Sequence, residues 1–136
     1  MLAEPLEREA NIDHVTDFYK LTYGTGLAFD EAFHRSVAAR AYDRSFSPEG
    51  TTRQLLAVLA QKDREEDLRQ LKVPSLVVHG DADPLVPLAG GQATADAIPG
   101  AEFMIVKGMG HVLPHLDAYW GDIKETMVKH MAKGGR

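Results

Sequence analysis

Two short stretches carry the residue types that acid–base chemistry needs: His79-Gly80-Asp81-Ala82-Asp83 and Gly108-Met109-Gly110-His111. Each follows a β-rich run, Ser75-Leu76-Val77-Val78-His79 and Glu102-Phe103-Met104-Ile105-Val106, with a helix-length segment between them. A parallel β-α-β unit brings one carboxylate and one imidazole to the same sheet edge, where open α/β folds place their chemistry. An Asp that accepts a hydrogen bond from a His ring fixes the tautomer and stabilises the imidazolium, which makes two parts of a nucleophilic triad. His111 is then expected to act as general base toward a hydroxyl and as general acid toward the leaving group. Asp83 is the expected acid. Asp81, nearer the strand, competes for that role, although turn capping suits it better, and the spacing leaves both open.

The third part, the nucleophile, is not evident. The serines are Ser36, Ser45, Ser47 and Ser75, and none lies in Gly-x-Ser-x-Gly, the strained strand-to-helix elbow that exposes a hydroxyl. There is no Gly-x-Asp-x-Gly and no His-Gly-Gly oxyanion loop. A metal site is not expected either. His111 and His115 are four apart, but Pro114 lies between them and no Glu follows His111, so the zinc-protease pattern is missing. His79, at a strand end, reads as a packing residue, while His14, His34 and His130 fall on predicted helices and are expected to face solvent.

The elements that must position these groups are legible from periodicity. In residues 7–60, Ile12, Val15, Phe18, Tyr19 and Thr22 recur at helical spacing. Asp30 is a candidate N-cap for a second helix with Phe33, Val37 and Ala41 on one face. Ser47-Pro48 opens a third through Leu55, Leu56 and Leu59. From Asp63 the texture changes: Asp63-Arg64-Glu65-Glu66 reads as a capping box for a short charged helix, and Val73-Pro74 leads into the first strand. Leu88–Ile98 reads as the crossover helix. A last helix, from about Leu116 to Lys133, aligns Leu116, Tyr119, Ile123, Met127 and Met131. The order is helices followed by β-α-β-α, an α/β arrangement. Two strands make a poor sheet with unpaired edges, so the chain reads as part of a sheet.

Composition narrows the partners. The 136 residues are 44% hydrophobic and 26% charged with a net charge of −5, which suits a soluble domain and leaves no electrostatic footprint for nucleic acid or an anionic membrane. The longest apolar run, Leu55–Ala60, falls far short of the ~20 residues a membrane span needs. Residues 1–10 are acidic and lack the apolar core of a signal peptide. Cysteine is absent, which excludes disulfides and thiolate chemistry and is compatible with a cytoplasmic location. Most of the aromatics fall between Phe18 and Phe46, where they suit either a helical core or an apolar pocket over an active site.

With strand, acid turn, crossover helix, strand and Gly-Met-Gly-His in this order, Val73–His115 resembles the C-terminal portion of α/β-hydrolase-fold enzymes. The stretch Val73-Pro-Ser-Leu-Val-Val-His-Gly-Asp-Ala-Asp-Pro-Leu-Val-Pro87 is similar to that family's penultimate strand and acid turn, and residues 89–100 to its crossover helix. The resemblance implies a partial α/β-hydrolase fold, with a helical cap over residues 1–62 and the C-terminal β-α-β-α part of the core over 63–136. It implies Asp83 as triad acid, His111 as triad base, no cofactor, and a small ester-like substrate in a complete enzyme. Ala41-Tyr-Asp-Arg-Ser-Phe46 is similar in texture to esterase and haloperoxidase-like members, including antibiotic-methylester hydrolases. The serine is expected from sequence outside this chain, so the chain alone is expected to be inactive and to pair with a missing N-terminal half or with itself. The rival expectations are a non-catalytic half-hydrolase that oligomerises through its strand edges, and an epoxide or haloalkane hydrolase fragment with Asp on the missing elbow.

Overall fold

The computed structural model describes residues 6–111 and 117–134. It contains α1 (Arg8–Thr22), α2 (Glu31–Arg44), α3 (Pro48–Leu59), α4 (Glu65–Arg69), β1 (Leu76–Gly80), α5 (Leu88–Ala97), β2 (Glu102–Val106) and α6 (Asp117–Gly134). Two helix starts follow from single side chains. The Asp30 carboxylate accepts the Phe33 N–H at 2.9 Å, and the Ser47 hydroxyl accepts the Gly50 N–H at 3.3 Å with Pro48 in the first turn. Each satisfies an amide that the first helical turn leaves unpaired. In the stretch Asp63–Glu66, α4 starts at Glu65, with Arg64 rather than Asp63 in the cap position and no side-chain capping bond from Arg64.

The chain divides into two compact units. One comprises the residues up to Leu21 together with Phe29–Asp63, and the other comprises Thr22–Ala28 together with the residues from Arg64 onward.

In the first unit, the Arg8 guanidinium of α1 grips the Asp43 carboxylate of α2 through two hydrogen bonds of 2.8 Å, and Arg35 pairs with Asp13. The inward face of α2 is one residue away from the expected stripe, since His34 and Ala38 are buried and Ala41 is exposed. His34, expected in solvent, is only 2% exposed. Its ring stacks on Phe29 at 4.4 Å and meets Phe33 edge-on at 5.3 Å. Its Nδ1–H donates to the Asp30 carbonyl at 2.6 Å. Imidazole is a flat ring with polar tips, so an aromatic surrounding accommodates it once a local carbonyl accepts a hydrogen bond from its N–H. Phe18, expected to be inward on α1, is exposed, while Asn11, Ile12 and Thr16 are buried. On α3, Leu56 and Leu59 are exposed as well.

In the second unit, β1 and β2 pair in parallel, from Leu76 opposite Glu102 to Gly80 opposite Val106. Alternation sends Val78, Met104 and Val106 to one face, where they pack with Tyr119 and Ile123 of α6 and with Met109 and Leu27. His79 lies on the other face, against Gly91 of α5. The stripe expected on α6 is buried only in part: Tyr119 and Ile123 are covered, Met127 and Met131 are exposed, and Leu116 lies outside the described residues. Two strands about 5 Å apart are narrower than a helix about 10 Å across, so they cover only part of its apolar surface. His130, also expected in solvent, is drawn to the first residue of β2. Its Nδ1–H donates to the Glu102 carboxylate at 2.8 Å, and the Lys133 ammonium donates to the same carboxylate at 2.8 Å. Lys133 and His130 hold the Glu102 carboxyl below the usual carboxylate range.

Ile123→Ala removes a side chain that is 3% exposed at the centre of this core. It is expected to lower stability by about 2–4 kcal/mol in denaturant unfolding. Met131→Ala, on the exposed part of the same helix, is expected to cost less than about 0.5 kcal/mol. Equal losses at the two positions would contradict the packing described.

Candidate active site

The pairing register determines where the two chemical loops begin. Because Gly80 and Val106 are the last partners, both strands leave the sheet at the same end. The loops are then laced together. The Asp81 N–H donates to the Val106 carbonyl at 3.2 Å and the Ala82 N–H to the Met109 carbonyl at 3.1 Å. The Gly108 N–H donates to the Asp81 carboxylate at 2.5 Å. Asp81 is thereby engaged by the backbone of the second loop. Of the two carboxylates left open by spacing, it is Asp83 that meets the imidazole.

Oδ2 of Asp83 lies 2.8 Å from Nδ1 of His111. Oδ1 accepts the backbone N–H groups of Leu85 at 2.8 Å and Val86 at 2.9 Å, an Asx-type turn closed by the acid itself. The Asp83 side chain is 5% exposed, whereas that of His111 is 49% exposed. Burial alone would push the Asp83 carboxyl up. The Val86 N–H, the His111 ring and the Leu85 N–H together outweigh it, and the group sits below its ordinary value. An ionised carboxylate can only accept, so Nδ1 of His111 donates the hydrogen of this bond, and in the neutral ring it is Nε2, on the opposite side, that holds the lone pair.

A third segment grips the His111 loop from its other side. The Thr25 and Gly26 N–H groups both donate to the Gly108 carbonyl at 2.9 Å. The Gly110 N–H donates to Tyr23 O at 3.1 Å and the His111 N–H to Thr22 O at 2.8 Å. Gly24 pairs with Met109 in an antiparallel bridge at φ +92°, where a Cβ would lie 2.4 Å from the Gly108 carbonyl and from the Gly110 nitrogen. Only glycine satisfies both demands. The clamp is made of backbone groups, so the side-chain pattern of residues 22–26 does not announce it. The spacing of the glycines was its one available signal. Burial pushes the hydroxyl of Tyr119 up, and the nearby Asp81 charge adds to this.

The cleft beside the pair has a volume of ≈ 280 Å³ and is lined by Val78, His79, Asp83, Val86, Met109 and His111 among others. A larger groove of ≈ 840 Å³ near Arg69, Lys72, Val73 and Pro99 is lined by no imidazole or carboxylate among the described residues, so the Asp83–His111 pair opens onto the smaller one. His79, expected to be a packing residue, is also a hydrogen-bond donor, with Nε2 2.9 Å from the Val86 carbonyl. Of the His111/His115 pair weighed for a metal, His115 lies outside the described residues.

Known proteins of several kinds resemble the chain. The α/β-hydrolase family model for TAP-like proteins matches residues 47–119. Rhodomycin D methylesterase DnrP of Streptomyces peucetius is 27% identical over 117 residues, covering 84% of this chain and 39% of that protein. Non-heme chloroperoxidase CPO-A1 of Kitasatospora aureofaciens is 46% identical over 50 residues, covering 36% of this chain and 18% of that protein. Among solved structures, a bromoperoxidase from Bacillus anthracis superposes with a TM-score of 0.67 at 26% identity, over 89% of this chain and 44% of its own. The chain thus spans less than half the length of each of these three relatives.

The depressed Asp83 value has a definite sign in pH. Its folded-state value is below the unfolded one, so the stability it contributes is complete above about pH 4 and is lost as pH falls through the folded value. Asp83→Asn is expected to flatten this part of the acid limb when unfolding free energy is followed from pH 6 downward. Identical acid limbs for the two proteins would show that the carboxylate is not held as described.

Proposed function

Because the chain belongs to the TAP-like family of α/β-hydrolases, we propose that it supplies the acid and base of a carboxylic-ester hydrolase whose serine lies outside these 136 residues. The observation that carries this reading is the Asp83–His111 bond of 2.8 Å, with the second carboxylate oxygen already held by two backbone amides. That arrangement leaves Nε2 of a half-exposed imidazole as the one basic nitrogen. Ester chemistry is favoured by the methylesterase relative, whose match extends over 84% of the chain, against 36% for the chloroperoxidase.

In this mechanism Nε2 takes the proton from the serine hydroxyl as its oxygen adds to the ester carbonyl. The imidazolium, stabilised by Asp83, returns the proton to the alcohol as the carbon–oxygen bond breaks, leaving an acyl-serine. A water then repeats the cycle and releases the acid. Residues 1–62 serve as the helical cap, and the polypeptide that brings the serine also completes the sheet along the open edges of β1 and β2. Oxyanion stabilisation must come from that same polypeptide, since no His-Gly-Gly loop is present here.

The isolated chain is expected to hydrolyse p-nitrophenyl acetate no faster than free imidazole. Joined to an N-terminal α/β-hydrolase half with a Gly-x-Ser-x-Gly elbow, it is expected to become active. Asp83→Asn is then expected to lower kcat by roughly 10³–10⁴-fold, and His111→Ala to abolish activity. Ester hydrolysis by the pure chain that survives His111→Ala would overturn the assignment. An inert complex with a correctly formed elbow would favour a non-catalytic half-hydrolase.

A further inference from the structure

His79 sits on β1 among Leu76, Val77 and Val78, at a position where an apolar side chain would satisfy packing. Its imidazole lies against the backbone of α5, where a Cβ added to Gly91 would be 2.6 Å from Cγ and 2.7 Å from Nδ1. The side chain is 13% exposed. Its Nε2 lies 2.9 Å from the Val86 carbonyl, and a carbonyl can only accept, so Nε2 must carry a proton. Val86 is the residue whose own N–H holds Oδ1 of Asp83. The same nitrogen is 3.9 Å from Oδ2 of Asp83, beyond hydrogen-bond reach, so it does not compete with His111 for that oxygen.

We propose that His79 is a positioning residue for the Asp83–His111 pair: through Nε2–H it anchors the Val86 carbonyl, fixing the turn whose amides hold Oδ1 and leave Oδ2 for the imidazole of His111. The proposal rests on the reading of Asp83 and His111 as a working pair. A turn that carries a buried carboxylate needs its own support, because a carboxylate displaced by about 1 Å loses its bond to the ring it orients. Packing alone would not require a particular nitrogen of His79 to be protonated. Anchoring does.

The test is nitrogen-15 NMR of the imidazoles in the full chain at a pH where both rings are neutral. In the unmodified protein His79 is expected in the Nε2–H tautomer and His111 in the Nδ1–H tautomer. Asp83→Ala is expected to remove the Nδ1–H preference of His111, which checks the pair itself. His79→Phe, which keeps a ring but no donor, is expected to weaken that preference in the same direction. His79→Gln, whose amide N–H can reach the carbonyl, is expected to restore it even if the melting temperature is not restored. An Nδ1–H tautomer at His79 overturns the proposal, as does a folded His79→Phe protein with an unchanged His111. If His79→Phe does not fold, the His79 tautomer and the Gln variant decide: a folded His79→Gln protein without the Nδ1–H preference also overturns it. If Asp83→Ala leaves His111 unchanged, the pair reading fails first, and that result is distinct from a failure at His79 alone.

Discussion

The site depends on one register. With Gly80 opposite Val106, two loops from positions far apart in sequence begin side by side. A slip of one residue would turn every side chain of a strand to the other face. Val78 would leave the core it shares with Ile123, and His79 would leave α5. The apolar core and the acid turn therefore enforce the same alignment, and neither can change without the other.

The two carboxylates at that edge divide the labour through what reaches them. Asp81 takes a backbone amide of the opposite loop, which makes it a tether. Asp83 takes two amides of its own turn and one ring nitrogen, which makes it an orienting charge. Almost every hydrogen bond that shapes the site involves at least one backbone group. Glycines crowd where the three chain segments meet because a Cβ there would collide with the neighbouring backbone.

What was legible beforehand followed from signals that single residues carry. The caps at Asp30 and Ser47, both strands, the crossover helix and the neighbourhood of Asp83 and His111 were readable from capping chemistry, apolar runs and turn residues. The burial of His34 was not, because a polar residue type is counted against the inward face and an aromatic cage has no local signature. The inward face of α2 was misplaced for the same reason. The exposure of Met127 and Met131 escaped prediction because a stripe reports what a helix can bury, and the width of the sheet decides what it does bury. The clamp of Thr22–Gly26 on the His111 loop consists of backbone bonds, to which side-chain patterns are blind. The tie from His79 to Val86 joins a strand to a turn and depends on which ring nitrogen bears hydrogen, a choice that no residue letter encodes.

That clamp also orders events in time. It joins positions roughly ninety residues apart along the chain, so its formation closes a long loop and bears the entropic penalty of doing so. Helices α1 to α3 and the β1-α5-β2 unit rely on nearer contacts and are free to organise earlier. The imidazole accordingly acquires its backbone anchor only when this long loop has closed.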